Sequence, residues 1–322
     1  MLAVVCPGQG SQSPGFLSPW LAVPGVAEQL TAASDAAGID LRAHGTTSDA
    51  ATIRDTAVAQ PLIVAASLLA LYAVLEGRQA REVVDVTAGH SVGEFAAAAV
   101  AGVLSADSAV ELVAHRARAM ARAAALAPSG MSAVVGGEPK QVLAAITDAG
   151  LYPANVNGGG QVVAAGSLEG LATLASSPPA RARVIPLQVA GAFHTPFMQP
   201  ALEDFGPVAA GWSAADPVLP LLSDADGTAY VATGTAHGAG RDVLDRLAAQ
   251  VVTPVRWDLC QEALAAMGVT GMLELAPAGV LTGLARRSLP GVETIAITSP
   301  ADLDAARDLV RRHSATSQEE TK

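Results

Sequence analysis

The sequence predicts an α/β protein built on a mostly parallel sheet, with a small β-α-β-β-α-β unit set into it. Short β-branched runs end in glycine loops that open Ala-rich helices, as where Val83–Ala88 meets Gly89. Strand–loop–helix order of this kind builds parallel sheets. Between about Gly130 and Val189 the pattern changes to closely spaced strands and short helices. At 322 residues the chain exceeds the common single-domain size, which leaves one large core and two unequal domains both open.

Leu2–Cys6 is a short apolar run that enters the tight polar loop Pro7-Gly8-Gln9-Gly10-Ser11-Gln12, and it reads as a strand. Pro61–Leu75 reads as a buried helix with proline at its start, where the missing N–H goes unneeded. Val83–Ala88 is the next buried strand, followed by helices over Phe95–Val103 and Ala106–Ala127. Met131–Val135 is then a strand, and Pro139 opens a helix that Gly150 closes. Tyr152–Val156 and Gln161–Ala165 are strands joined by Asn157-Gly158-Gly159-Gly160. Ser167 caps a helix over Leu168–Ala175, and Arg183–Val189 is the last strand of this region. That order, complete within about 60 residues, is that of a ferredoxin-like unit. It reads as a small domain, 129–189, inserted into a large one, 1–128 and 190–313. The large domain resumes with a helix after His194, the strand Val218–Leu222, and helices over Asp242–Ala249 and Trp257–Met267. Strand Gly271–Leu275, helix Val280–Arg287, strand Glu293–Ile297 and helix Ala301–Arg312 complete it. The polar tail, 314–322, is expected to be disordered.

Composition narrows the function classes. The chain is 51% hydrophobic and 15% charged, inside the globular range. Aromatics are only 3%, so Ala and Val carry the hydrophobicity and the core must form by close backbone approach. No run of about 18 apolar residues is uninterrupted, and Pro61–Leu75 ends at Glu76-Gly77-Arg78. The first residues lack the basic start of a signal peptide and run into Pro7-Gly8. A cytoplasmic protein without a membrane partner is expected. The net charge of −11, with no basic block, argues against nucleic acid. An anionic substrate or partner must then be met by local arginines. Cys6 and Cys260 sit in apolar contexts and read as buried small hydrophobes, without partners for a disulfide or a metal site.

The chemistry concentrates at Gly89-His90-Ser91-Val92-Gly93, which fits the G-x-S-x-G nucleophile elbow. A sharp turn pushes the Ser91 Oγ clear of the backbone, and the flanking glycines let strand and helix approach. The helix N-terminus then offers free N–H groups to an oxyanion. Glycines on both sides of Gln9 would let its backbone N–H become a second oxyanion donor, beside that of Val92. A plain turn fits that spacing equally well, and neither phosphate-loop pattern is met.

A serine nucleophile needs a base. Of six histidines, His44, His237 and His313 lie in polar stretches and are expected to be solvated. His115 lies in a helix beside Arg116 and reads as structural. His90 adjoins Ser91, so its side chain must point away from the Oγ. That leaves His194, in Gly191-Ala192-Phe193-His194-Thr195-Pro196, where a strand passes into a helix. Arg116 follows Ser91 by 25 residues. On pattern alone an arginine in an Ala-rich helix is a solvated or snorkelling side chain. The alternative is bidentate binding of a substrate carboxylate.

The set Pro7-Gly8-Gln9-Gly10-Ser11-Gln12, Gly89-His90-Ser91-Val92-Gly93-Glu94, Arg116, Ala192-Phe193-His194 and Gln250 with Pro254-Val255-Arg256-Trp257 strongly resembles malonyl-CoA:acyl-carrier-protein transacylases, from the first strand to about Leu284. The resemblance implies an α/β-hydrolase-like large domain carrying the ferredoxin-like one. It implies a Ser91–His194 dyad in which the backbone carbonyl of Gln250 orients His194. No triad acid is then needed, and Asp107 and Asp148 sit in ordinary helix-start and helix-end contexts. Gln9 and Val92 would supply the oxyanion N–H groups, and Arg116 would pair the malonyl carboxylate. Phe193, Asn157 and His90 would border the acyl pocket, with Asn155 completing the family's Asn-x-Asn. Phe193 and Val92 resemble the residues of malonyl-selective members. Ala276-Pro277-Ala278-Gly279 departs from the Gly-Pro-Gly frequent in the family, which bears on the loop there.

The resemblance further implies malonyl-CoA as substrate and phosphopantetheinylated acyl carrier protein as partner. The reaction would be ping-pong through a malonyl-Ser91 ester, feeding fatty-acid synthesis, with no permanently bound cofactor, no metal, and a monomeric enzyme. The start methionine and single catalytic set favour a free-standing enzyme over a fragment of a megasynthase. Arg181, Arg183, Arg286 and Arg287 are candidates for the basic patch that an acidic carrier requires. Two rivals are a serine esterase or thioesterase sharing the elbow, and a non-catalytic carrier-binding module. Arg116 opposes the first, and intact Ser91 and His194 oppose the second.

Overall fold

Five parallel strands and one antiparallel edge strand form the larger sheet of the computed structural model, which describes residues 1–230 and 239–314. From edge to edge these are β10 (Glu293–Ala296), β9 (Gly271–Glu274), β1 (Leu2–Cys6), β2 (Val86–Gly89), β7 (Leu221–Leu222) and β8 (Ala229–Tyr230). β8 runs antiparallel to β7, and the other pairs are parallel. All residues of β1 and β2 are buried, as expected for apolar runs covered by helices on both faces. Val5 pairs with Ala88 and Cys6 with Gly89, so the two strands end side by side. The loops leaving them therefore emerge together at the carboxyl end of the sheet, where α/β sheets place their ligands.

A second sheet is wholly antiparallel, in the order β4 (Tyr152–Gly158), β5 (Gln161–Ser167), β3 (Ser129–Gly136), β6 (Ala182–Pro186). Helices Pro139–Asp148 and Leu168–Ser176 pack on it through Val142, Ile146 and Leu174, against Val134 and Val162. This is the predicted β-α-β-β-α-β unit. It joins the rest of the chain where Val156 N–H donates to Val255 O at 2.8 Å and Val255 N–H donates to Ala154 O at 2.9 Å. The predicted fold class is thus the observed one.

Several elements differ in extent. The buried helix is α3 (Thr56–Leu75), following α1 (Val26–Ala37) and α2 (Leu41–Thr46), which the sequence reading missed. Asp55 starts α3 by accepting the Ala57 N–H at 2.8 Å, so Pro61 lies inside the helix and not at its first turn. Among the described residues α3 is the one helix long and apolar enough to cross a bilayer, yet 78% of that window is buried inside the protein. Val83 and Val84 leave the expected strand because both donate their N–H to Ala80 O in a preceding turn. Ser314, assigned to a disordered tail, is buried, and its N–H continues the last helix to Val310 O. The rest of that tail, 315–322, and His237 lie outside the described residues.

Candidate active site

The elbow forms where β2 turns into α4 (Gly93–Val100), with Ser91 at φ +53°. A left-handed conformation is uncommon for a residue with a Cβ, and such outliers mark sites that the surroundings hold in place. The flanking glycines have a steric reason. A Cβ on Gly89 would overlap the backbone of Gly93, and one on Gly93 would overlap the carbonyl of Cys6. Strand, turn and helix can meet this closely only without those atoms.

His194, at φ +61°, stands opposite, its Nε2 2.7 Å from Ser91 Oγ. Its Nδ1 lies 2.8 Å from the backbone carbonyl of Gln250. A carbonyl can only accept, so Nδ1 carries the hydrogen and Nε2 presents its lone pair to the serine hydroxyl. Burial, and next the charge of Arg116, lower the His194 pKa to about 3. The ring is therefore neutral and ready to take a proton at neutral pH. Asp107 and Asp148 stay at their helix ends, far from any such role.

Arg116 settles one alternative. On α5 (Ala106–Ala124) it is 1% exposed, neither solvated nor snorkelling. It donates to Gln60 Oε1 at 2.5 Å and Gln250 Oε1 at 2.6 Å, and its Nη2 lies 3.5 Å from Ser91 Oγ. Its guanidinium lies 5.6 Å from the centroid of the Phe95 ring. Burial lowers its pKa to about 10, which leaves it charged at neutral pH. No carboxylate touches it among the described residues.

Ser91, Arg116 and His194 line a cavity of about 270 Å³ between the two sheets. Gln9 and Val92 line it as well, and the N–H of neither has a hydrogen-bond partner among the described residues. Phe193, Asn155 and Asn157 form part of its wall. His90 turns to Asn157, with Nε2 2.9 Å from Oδ1, and burial lowers its pKa. Val280 and Leu281 reach the cavity from the helix Val280–Ser288, which begins after Ala276-Pro277-Ala278-Gly279. Ser67 Oγ fixes that loop by donating to Ala276 O at 2.7 Å.

This arrangement supplies a serine hydroxyl with a neutral base, two free N–H groups and a buried cation at one cavity wall. It can carry acyl transfer to and from Ser91 on an acid-bearing acyl group. Residues 3–218 match the acyl transferase domain family. The malonyl CoA-acyl carrier protein transacylase of Mycobacterium tuberculosis is 50% identical over 314 residues, 96% of this chain and all of the relative. The chain belongs to the malonyl-CoA:acyl-carrier-protein transacylase family. The crystal structure of MCAT from Mycobacterium tuberculosis superposes with a TM-score of 0.89 at 51% identity, covering 95% of this chain and 99% of that one. A type II PKS acyl-carrier protein in complex with its malonyl-transacylase is also similar, with TM-score 0.86, 28% identity and coverage of 95% and 99%.

The sequence reading gave no role to some residues of this acyltransferase, Glu94 among them although it stands in the quoted motif. Asp224 and Glu94 are buried behind the elbow, and Gln60 holds Arg116. Glu94 and Gln60 carried a usable signal, since each is the one acid or amide on a helix of otherwise apolar or hydroxyl-bearing residues. Asp224 sits in Ser223-Asp224-Ala225-Asp226-Gly227, which reads as an ordinary turn. His44 and His313, expected in solvent, are half-buried and hydrogen-bonded, His44 to Ser48 and His313 to Thr270 and Glu293. His115 packs edge-on against Trp212. Cys6 and Cys260 are both buried, and burial raises both thiol pKa values.

Proposed function

We propose that the enzyme moves a malonyl group from malonyl-CoA to the phosphopantetheine thiol of an acyl carrier protein through a malonyl-Ser91 ester. The observation that carries this reading is the buried, carboxylate-free Arg116 guanidinium 3.5 Å from Ser91 Oγ. His194 Nε2 takes the Ser91 proton as Oγ attacks the thioester carbonyl. The Gln9 and Val92 N–H groups receive the developing oxyanion, where one such donor contributes about 2.7–4 kcal/mol. The C–S bond then breaks, and His194 returns the proton to the departing CoA sulfur. In the second half the carrier thiol gives its proton to His194 and attacks the ester, and Ser91 Oγ leaves with that proton. Arg116 pairs the free malonyl carboxylate throughout, and Phe193, Asn157 and His90 shape the space around the acyl group.

The carrier partner is supported by the related complex of a malonyl-transacylase with its acyl-carrier protein. Arg181, Arg183, Arg286 and Arg287 are exposed and form no ion pair among the described residues, as an acidic carrier requires. Arg287 lies beside Gly159, in the turn between Asn157 and Gln161 that borders the cavity. We read the enzyme as a monomer of the cytoplasm, serving fatty-acid synthesis without a resident cofactor, its small domain taking 129–189. Transfer of radiolabelled malonyl, acetyl and methylmalonyl groups from CoA to one holo-carrier protein tests the reading. Malonyl transfer should dominate. Rapid release of free malonate without carrier would instead make the enzyme a thioesterase.

A further inference from the structure

Behind the elbow lies a polar cluster that the reaction above leaves unused. Glu94 and Asp224 are 6% and 1% exposed, and neither lines the cavity. Asp224 Oδ2 accepts the Ser91 N–H at 2.7 Å, and Glu94 Oε1 accepts the Asp224 N–H at 2.7 Å. From the other side the Gln250 amide nitrogen donates to Ser91 O and to Asp224 Oδ2, each at 3.1 Å, and to Glu94 Oε2. Arg116 fixes which way that amide faces, because a guanidinium can only donate and so holds Gln250 Oε1 toward itself. Both backbone polar groups of Ser91, a residue in the left-handed region, thus meet side chains far away in sequence, Ser91 O also accepting the Glu94 N–H at 3.0 Å.

Counting hydrogens sharpens the picture. An amide NH₂ has two, yet three oxygens surround that of Gln250. Two ionised carboxylates in one buried site would also repel each other. A single proton on the pair relieves this repulsion, and the amide shares its two hydrogens among the three oxygens. Burial, and then the charge of Asp224, push the Glu94 carboxyl well above the usual carboxylate range, in agreement. The one remaining negative charge faces Arg116 across the Gln250 amide. It offsets the buried cation without closing an ion pair on it.

We propose that Glu94, Asp224 and the Gln250 side chain form a one-proton clamp that fixes the Ser91 peptide in its left-handed turn, which makes all three positioning residues for the nucleophile. This rests on Ser91 being the nucleophile of the proposed reaction, but not on which acyl group is carried. The role of the Gln250 side chain is separate from that of its backbone carbonyl at His194.

The test is the rate at which a small uncharged fluorophosphonate labels Ser91, read by intact mass on folded protein. Phosphorus is attacked by Oγ and fluoride leaves, with no malonyl recognition involved. Asp224→Ala removes the acceptor for Ser91 N–H. Gln250→Ala removes the side-chain donor to Ser91 O, leaves the Glu94 N–H there, and keeps the carbonyl at His194. Asp224→Ala should label roughly ten- to a hundredfold more slowly, the loss expected for a hydrogen bond to a charged partner, and Gln250→Ala about two- to tenfold more slowly, as for a neutral one. Asp224→Asn keeps an acceptor oxygen and should recover most of the rate. Labelling of Asp224→Ala and Gln250→Ala at the wild-type rate would overturn the clamp, as would an Asp224→Asn rate no better than that of alanine. If Asp224→Ala does not fold, Gln250→Ala decides alone. A wild-type enzyme that labels at Ser91 but transfers no malonyl defeats the transferase reading and leaves the clamp standing.

Discussion

Replacing Arg116 with alanine tests how the enzyme chooses its acyl group. The guanidinium has five N–H donors. Amide oxygens of Gln60 and Gln250 occupy Nη1 and Nη2 at 2.5 and 2.6 Å, and Nε has no partner among the described residues. A carboxylate arriving beside Ser91 therefore meets a full positive charge and spare donors. A malonyl group on Ser91 carries its carboxylate two bonds from the acyl carbon, within reach of a cation 3.5 Å from Oγ. An acetyl group offers nothing there. Hydrogen bonds to a charged partner are worth about 1.5–3 kcal/mol, so the preference for malonyl over acetyl should fall roughly ten- to a hundredfold.

The substitution also strands Gln60 Oε1 and Gln250 Oε1 in the interior, at about 1–3 kcal/mol of stability each. Absolute rates would mix the two effects. Malonyl-CoA and acetyl-CoA should therefore compete in one tube, with the ratio of the two acyl-enzymes read by intact mass, so that loss of folded protein cancels. An unchanged ratio in folded Arg116→Ala would refute the carboxylate role.

Ser91→Ala should acquire no acyl adduct from malonyl-CoA by intact mass, and an adduct on that variant would place the nucleophile elsewhere. The His194 pKa is lowered to about 3 by burial, so single-turnover acylation should stay flat as pH falls through the ordinary histidine value; a limb near pH 6.5, about that value, would contradict it. The same shift has a stability sign. The unfolded chain binds the His194 proton more readily than the folded one below about pH 6.5, so this residue destabilises the fold progressively on acidification and contributes nothing above that pH. Gly93→Ala should lower the unfolding midpoint sharply, because its Cβ would overlap the Cys6 carbonyl and overpacking costs about 1–3 kcal/mol or more; a wild-type midpoint would show that β1 and α4 can separate.

The parts of the site visible in sequence are those whose chemistry is local. The elbow is one five-residue turn whose glycines are required by the approach of α4 to β2, so pattern and cause coincide. His194 was reachable by elimination because the chain has only six histidines. Asp224 was not, since its partners Ser91 and Glu94 are 133 and 130 residues away and its own surroundings spell a turn. Arg116 pointed the wrong way on pattern alone, because its burial depends on Gln60 and Gln250 from two other segments. Among the elements, α3 began before its proline because Asp55 caps it, a signal that was present and passed over. The two-residue strand β8 is set by pairing with Leu221 and Leu222 and leaves little trace in its own sequence.

Among the described residues no acid hydrogen-bonds His194, which bears on why the proposed ester would wait for a thiol. A backbone carbonyl orients the ring but adds no full negative charge to stabilise an imidazolium, and Arg116 opposes one. Attack of the carrier thiol on the ester retraces in reverse the attack of Ser91 on a thioester. A site shaped for one step therefore serves the other. Water attack follows a different course and must deprotonate a nucleophile of pKa about 15.7, against about 8.5 for a thiol. We propose that the lack of an anionic partner at Nδ1 contributes to the choice of acceptor, alongside exclusion of water. A substitution that placed a carboxylate against His194 Nδ1 should raise hydrolysis more than transfer, and equal gains in both would show that access, not basicity, guards the ester.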